Sequence, residues 1–175
     1  MEVNGYQIRP GANLVGAQLS EANLQNCDIA GADLTGADLS GANLGGARCI
    51  GANFTAAWLF GAYFSTIELN PLKITHGDFT NANFSMAHLG GANLDYGVFS
   101  GADFVGANLD EANFDRGQFD GANFRGASLQ FAQVWNANFT GANFSNALIG
   151  EATFSGCDLT GTNFDGVDMD VAIWL

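Results

Sequence analysis

Residues able to do chemistry are few in this chain of 175 residues, and none stands in a spacing that makes a catalytic set. His76 and His88 are the only histidines, and neither lies in metal-ligand spacing with a cysteine or a carboxylate cluster. The run from Gly41 to Gly46 resembles a phosphate-binding loop until Ala47 stands where that loop needs lysine. Three cysteines, Cys27, Cys49 and Cys157, leave an odd thiol and suit buried, unpaired side chains in a reducing compartment. No catalytic residue, no metal site and no cofactor is expected, and the chain reads as a non-enzyme.

Charge is the second chemical signal. Eighteen acids face five bases, for a net charge of −13. Affinity for bare nucleic acid comes from lysine and arginine on phosphates, so direct nucleic-acid binding is not expected. No basic-then-apolar leader and no bilayer-spanning run appears, so no membrane association is expected and a cytoplasmic location is the default reading.

The elements that would position these groups follow from one period. Every fifth residue from Leu14 to Trp174 is apolar, 33 positions without a break in register. Alanine stands two residues before it in 24 of those units, and glycine two residues after it in 16. A straight strand would put positions five apart on opposite faces, and an α-helix would scatter them around its axis. A three-residue extended piece points alanine and the large residue the same way, and a glycine-tolerant corner then resets the inward phase. Repeated corners of one hand wind such a chain into a coil.

Units such as Ala32-Asp33-Leu34-Thr35-Gly36, Ala37-Asp38-Leu39-Ser40-Gly41 and Ala142-Asn143-Phe144-Ser145-Asn146 resemble the A-(D/N)-(L/F)-x-x motif of the pentapeptide-repeat family. The match spans about residues 12–174. The resemblance implies an all-β fold: a right-handed parallel quadrilateral β-helix, a solenoid of about eight coils of 20 residues. At strand spacing, such a rod is roughly 40 Å long. Sorting the large residues by twenties gives one column running Leu24, Leu44, Phe64, Phe84, Phe104, Phe124, Phe144, Phe164. Another runs Ile29, Cys49, Leu69, Leu89, Leu109, Leu129, Ile149, Met169, without phenylalanine. Side chains twenty apart are therefore expected to stack.

One domain is expected, residues 1–11 forming a lead-in or cap and 12–175 the β-helix. A bulge is expected near 66–77, where Ile67 and Leu72 replace alanine and Pro71 removes a backbone donor. Just before it, Trp58, Phe60 and Tyr63 take outward positions, either covered by the bulge or exposed as a protein-interaction patch. At the other end Val171, Ile173, Trp174 and Leu175 either cap the rod or form a homodimer contact. Phe131 and Trp135 read as incidental surface residues.

Seven aspartates (Asp28, Asp33, Asp38, Asp78, Asp103, Asp158, Asp168) occupy the motif slot that asparagine fills twelve times elsewhere, where either side chain can bond the backbone of a corner. Asp95, Asp110, Glu111, Asp115 and Asp120 lie outside that slot and form a candidate acidic face. Asp28, Arg48 and Glu68 read as a charge ladder on adjacent coils. Together these features describe a non-catalytic structural or protein-interaction module, a rigid acidic rod whose partner is an unidentified protein. The alternative comes from the resemblance. Some pentapeptide-repeat proteins are like B-DNA in width and charge, and inhibit or protect type II topoisomerases such as gyrase.

Overall fold

The computed structural model describes residues 1–64 and 77–175. Each pentad folds as the period requires. Ala37 and Leu39 are fully buried while Asp38 between them points outward. The corner follows at once: Ala42 N–H donates to the Leu39 carbonyl at 2.9 Å, and Gly41 has φ +66°. A bond from the fourth residue to the first, with left-handed φ at the third, is the pattern of a type II turn. The motif aspartate or asparagine locks the corner from outside. Asp38 Oδ1 accepts from Ser40 N–H at 2.9 Å, and Asn43 Oδ1 from Gly45 N–H at 2.9 Å.

Coils join through parallel ladders. Leu39 N–H donates to the Trp58 carbonyl at 2.7 Å, and Trp58 N–H to the Ala37 carbonyl at 2.9 Å. The bridges Asn13–Asp33, Gln18–Asp38, Asn23–Asn43 and Asp28–Arg48 each step 20 residues, so four pentads return the chain to its starting wall. We call these walls one to four, in that order. Among the described residues no polar or charged side chain is buried, and the interior holds alanine, leucine, phenylalanine, isoleucine, valine and cysteine.

The step of 20 fails once. Asn53 bridges Asp78, Trp58 bridges Asn83 and Tyr63 bridges His88, each a step of 25. One additional pentad therefore lies between the two halves, and the column sort by twenties is corrected there. Phe64 is followed by Leu89, because Phe64 N–H donates to the His88 carbonyl at 2.8 Å. Phe84 instead continues the column of Leu59, whose N–H donates to the Asn83 carbonyl at 2.7 Å. On either side of the step, stacking by twenties holds. The expected bulge at 66–77 lies outside the described residues except for Gly77, as do Glu68 and Leu69.

Two phenylalanine ladders fill the second half. On wall one, Phe54, Phe79, Phe99, Phe119 and Phe139 stack with centroids 4.6, 4.9, 4.8 and 5.1 Å apart. On wall two, Phe84, Phe104, Phe124 and Phe144 stack at 4.9, 4.7 and 4.6 Å. The ladders tilt against each other, as Phe99 and Phe104 do at 51°. Offset stacking along a wall and tilted packing between walls both suit the ring quadrupole.

The ends differ. At the start, strands β1 (Glu2–Val3) and β2 (Tyr6–Gln7) pair antiparallel, and Val3, Tyr6 and the buried Ile8 pack on the core. Tyr6 Oη accepts from Gln18 N–H at 3.2 Å. At the far end, wall four becomes a regular sheet of β3 (Gln133–Trp135), β4 (Thr153–Ser155) and β5 (Ile173–Trp174), with β5 at the edge. A 3-10 turn at Met169–Val171 leads into β5. Trp174 stacks on Phe154 at 4.8 Å, and its Nε1 donates to the Met169 carbonyl at 2.9 Å.

Left-handed corners give a direct test of this fold. Ala56 holds φ 55° where most corners have glycine, and Gly121 holds φ +65° with open space around its absent Cβ. A left-handed non-glycine residue costs about 1–2 kcal/mol, against about 0.4–1 kcal/mol for the entropy of an added glycine. Gly121→Ala is expected to destabilise and Ala56→Gly to stabilise by up to about 1 kcal/mol, measured by denaturant unfolding. Equal, small losses for both would contradict the corner geometry.

Candidate interaction surfaces

Trp58, Phe60 and Tyr63 wrap the corner between walls two and three, all with substantial exposure (57%, 51% and 46%). Their outward direction follows from the pentad phase, since Leu59 and Phe64 take the inward places. Tyr63 stacks on His88 of the next coil, centroids 4.7 Å apart and planes within 9°. Met86, one coil on from Gly61 in the same corner column, is also exposed. The patch is thus wider than the three aromatic residues, and His88 belongs to it as a stacking partner.

The five acids of the candidate acidic face fall on three successive corners. Asp110 and Glu111 lie at the corner entering wall four, Asp95 and Asp115 at the corner leaving it, and Asp120 after wall one. Asp110 Oδ1 accepts from Ser128 Oγ at 2.5 Å and from Gln130 N–H at 3.0 Å. Asp120 Oδ1 accepts from Ser100 Oγ at 2.6 Å. Asp115 lies 3.9 Å from Arg116 Nε, and the Arg116 guanidinium also engages the Tyr96 hydroxyl. Glu111 is exposed. The charge ladder is present between Asp28 and Arg48, at 2.9 Å.

The C-terminal residues gain neighbours that reading along the chain misses. In wall four, β3, β4 and β5 align Gln133 with Thr153 and Ile173. The flanking corner columns therefore run Phe131, Glu151, Val171 on one side and Trp135, Ser155, Leu175 on the other. Glu151 N–H donates to the Val171 carbonyl at 2.7 Å, and Gly156 N–H to that of Leu175 at 3.4 Å. Phe131, Trp135, Val171, Ile173 and Leu175 are all exposed, Leu175 at 79%. They share one wall. Sorting the outward residues of 77–175 by twenties would have shown it. Around the adjoining corner lies a cleft of about 350 Å3 lined by Gln130, Leu148, Ile149, Asp168 and Val171. Trp174 stacks on Phe154 and meets Phe164 edge-on, Leu159, Phe164 and Val167 of the last coil stay only partly buried, and Val171, Ile173 and Leu175 are outside.

Titratable groups behave as scaffold. Burial pushes the Cys27 thiol up to about 11, and raises Cys49 and Cys157 as well. Hydrogen bonds from the corner backbone and from Thr35 and Thr160 hold Asp28, Asp33 and Asp158 below the usual carboxylate range. Among the described residues no group of histidines, cysteines and carboxylates could hold a metal ion. No helix among them is long and apolar enough to cross a membrane.

The geometry defines a parallel β-helical scaffold that presents side chains on flat walls. The model of the pentapeptide repeats matches residues 12–48, 75–110, 102–141 and 137–172, with eight copies, and the chain belongs to that family. Its fold is the right-handed quadrilateral β-helix. Among solved structures, it is similar to HetL, a pentapeptide repeat protein involved in heterocyst differentiation regulation in the cyanobacterium Nostoc. The two share 26% identity over 93% of this chain and 83% of that one, with a TM-score of 0.51. A structure of QnrB1, a plasmid-mediated fluoroquinolone resistance protein, aligns at 19% identity over 83% and 84% of the two chains, TM-score 0.49. A pentapeptide repeat protein of the Arabidopsis thaliana thylakoid lumen aligns at 28% identity over 53% and 68%, TM-score 0.35. No curated protein sequence matches.

The thiols offer the measurement. Raised pKa and enclosure both suppress the thiolate, the reactive species. Cys27 and Cys49 are expected to resist a disulfide-exchange reagent at pH 8 in the folded protein and to react fully in denaturant. Rapid labelling of both without unfolding would show that the coil interior is open.

Proposed function

We propose that the chain is a non-catalytic protein-interaction module, an acidic rod of about eight coils that holds side-chain patches in fixed register for a partner protein. The observation that carries this reading is the exposure of Trp58, Phe60 and Tyr63 on a scaffold whose other large aromatics are mostly interior. Exposed aromatics on a rigid polar surface are the residues that anchor protein interfaces. The HetL likeness, with its regulatory role in that protein, favours the same class.

The net charge of −13 supports a second reading, imitation of DNA toward a topoisomerase. Weighing against it, the motif aspartates are spent on corners, as Asp33 is on Thr35, and the remaining acids spread over several corners. A DNA mimic needs its charges in rows at phosphate spacing on one side.

The test separates the two. Trp58→Ser, Phe60→Ser and Tyr63→Ser together are expected to leave the circular dichroism spectrum intact and to reduce capture of a partner from the native host at least about tenfold, the scale of losing one interface anchor. Unchanged capture would remove the aromatic patch from the function. Inhibition of gyrase supercoiling at micromolar protein, with the triple variant equally active, would favour mimicry instead.

A further inference from the structure

We propose that wall four at its C-terminal end is the docking site for a partner segment in which apolar residues are bordered by lysine or arginine. This deepens the reading of the chain as an interaction module and rests on it, but uses a different surface from the Trp58 patch.

The wall combines exposed apolar side chains with acids, the two ingredients of a mixed interface. Phe131 and Trp135 flank Gln133 on one coil, Val171, Ile173 and Leu175 stand two coils further on, and the polar row of Glu151, Thr153 and Ser155 lies between them. At strand spacing, two coils place these rows roughly 10 Å apart, the span of a short peptide segment. The backbone beneath is paired from β3 through β4 to β5, with β5 at the edge, so the side chains of this face stand on a formed sheet.

Charge selects the occupant. One coil below the apolar rows, Glu111 underlies Phe131 and Asp115 underlies Trp135, because Glu111 N–H donates to Gln130 O at 2.8 Å and Arg116 N–H to Trp135 O at 2.8 Å. Glu151 stands between Phe131 and Val171 in their column, and Asp170 adjoins Val171. Arg116 is the cation at this rim, and its guanidinium is engaged by Tyr96 and Asp115. A second copy of the chain would bring the same acids and a charge of −13 to this rim, a like-charge contact. A segment with lysine or arginine beside its apolar residues places opposite charges there. The cleft beside Val171 and Leu148 offers room for one side chain.

Two synthetic peptides of about 12 residues test this, both carrying leucine, isoleucine and phenylalanine at alternate positions, one with lysine and arginine between them and one with glutamate. Calorimetric titration of the full chain is expected to show micromolar binding of the basic peptide, and binding of the acidic one at least about a hundredfold weaker. Phe131→Ser with Ile173→Ser should weaken the basic peptide at least about tenfold. Glu111→Gln with Asp115→Asn should weaken it severalfold and flatten its salt dependence. All four side chains point outward, and circular dichroism checks that each variant folds. The Trp58, Phe60 and Tyr63 triple variant should bind the peptide normally. Equal affinity for the two peptides, or none, or binding indifferent to the wall-four variants, overturns the proposal. So does a dimer in light scattering that Ile173→Ser dissolves. Partner capture that depends on Trp58 while both peptides fail would sink this site and leave the module reading standing.

Discussion

Every feature of this molecule depends on the ladder that joins one coil to the next. Between coils, the large inward residue donates its N–H to the coil above and the motif-slot residue beside it donates to the coil below, as Phe104 does to Asn123 at 2.7 Å and Asn123 to Ala102 at 2.9 Å. A short extended piece of three residues could not hold itself together in water. Stacked in register, it satisfies its backbone and buries one small and one large side chain at once. The Phe ladders are the packing consequence: rings about 5 Å apart fill a narrow tube that admits no polar group. Removing register at one level would misplace every wall beyond it.

That dependence explains what the sequence discloses and what it hides. The pentad period and the inward alanine and leucine or phenylalanine are local, and the coil interior follows them. The corner role of asparagine and aspartate was also legible, because the bond from Ser145 N–H to Asn143 Oδ1 needs only three residues. The step of 25 was not. A whole additional pentad keeps the inward phase, so Phe64 and Phe84 stay in perfect five-residue register while falling on different walls. Only pairing between coils detects the change, and local pattern contains no pairing.

The same distinction governs the surface. Trp58, Phe60 and Tyr63 are close along the chain and were found by reading along it. Phe131, Trp135 and Ile173 are separated by up to two coils and become one surface only when columns are aligned. The acids show the reverse effect. Asp95 to Asp120 crowd together in sequence, yet the coil distributes them over three corners and ties Asp110 and Asp120 to serines. In a solenoid, proximity along the chain and proximity on a wall are different quantities, and a binding surface is made of the second.

The wall assignment across the step is the claim on which the surfaces rest, and disulfide trapping measures it most directly. In a background where Cys27, Cys49 and Cys157 are replaced by alanine, Tyr63→Cys with His88→Cys places two thiols on bridged neighbours of wall three. Adjacent strands bring Cα atoms to about 5 Å, within disulfide range. Tyr63→Cys with Asn83→Cys places them on different walls, since Asn83 bridges Trp58. Rapid oxidation of the first pair and none of the second is the result this structure requires. Oxidation of the second pair in preference to the first would mean an unbroken step of 20 and a different set of walls.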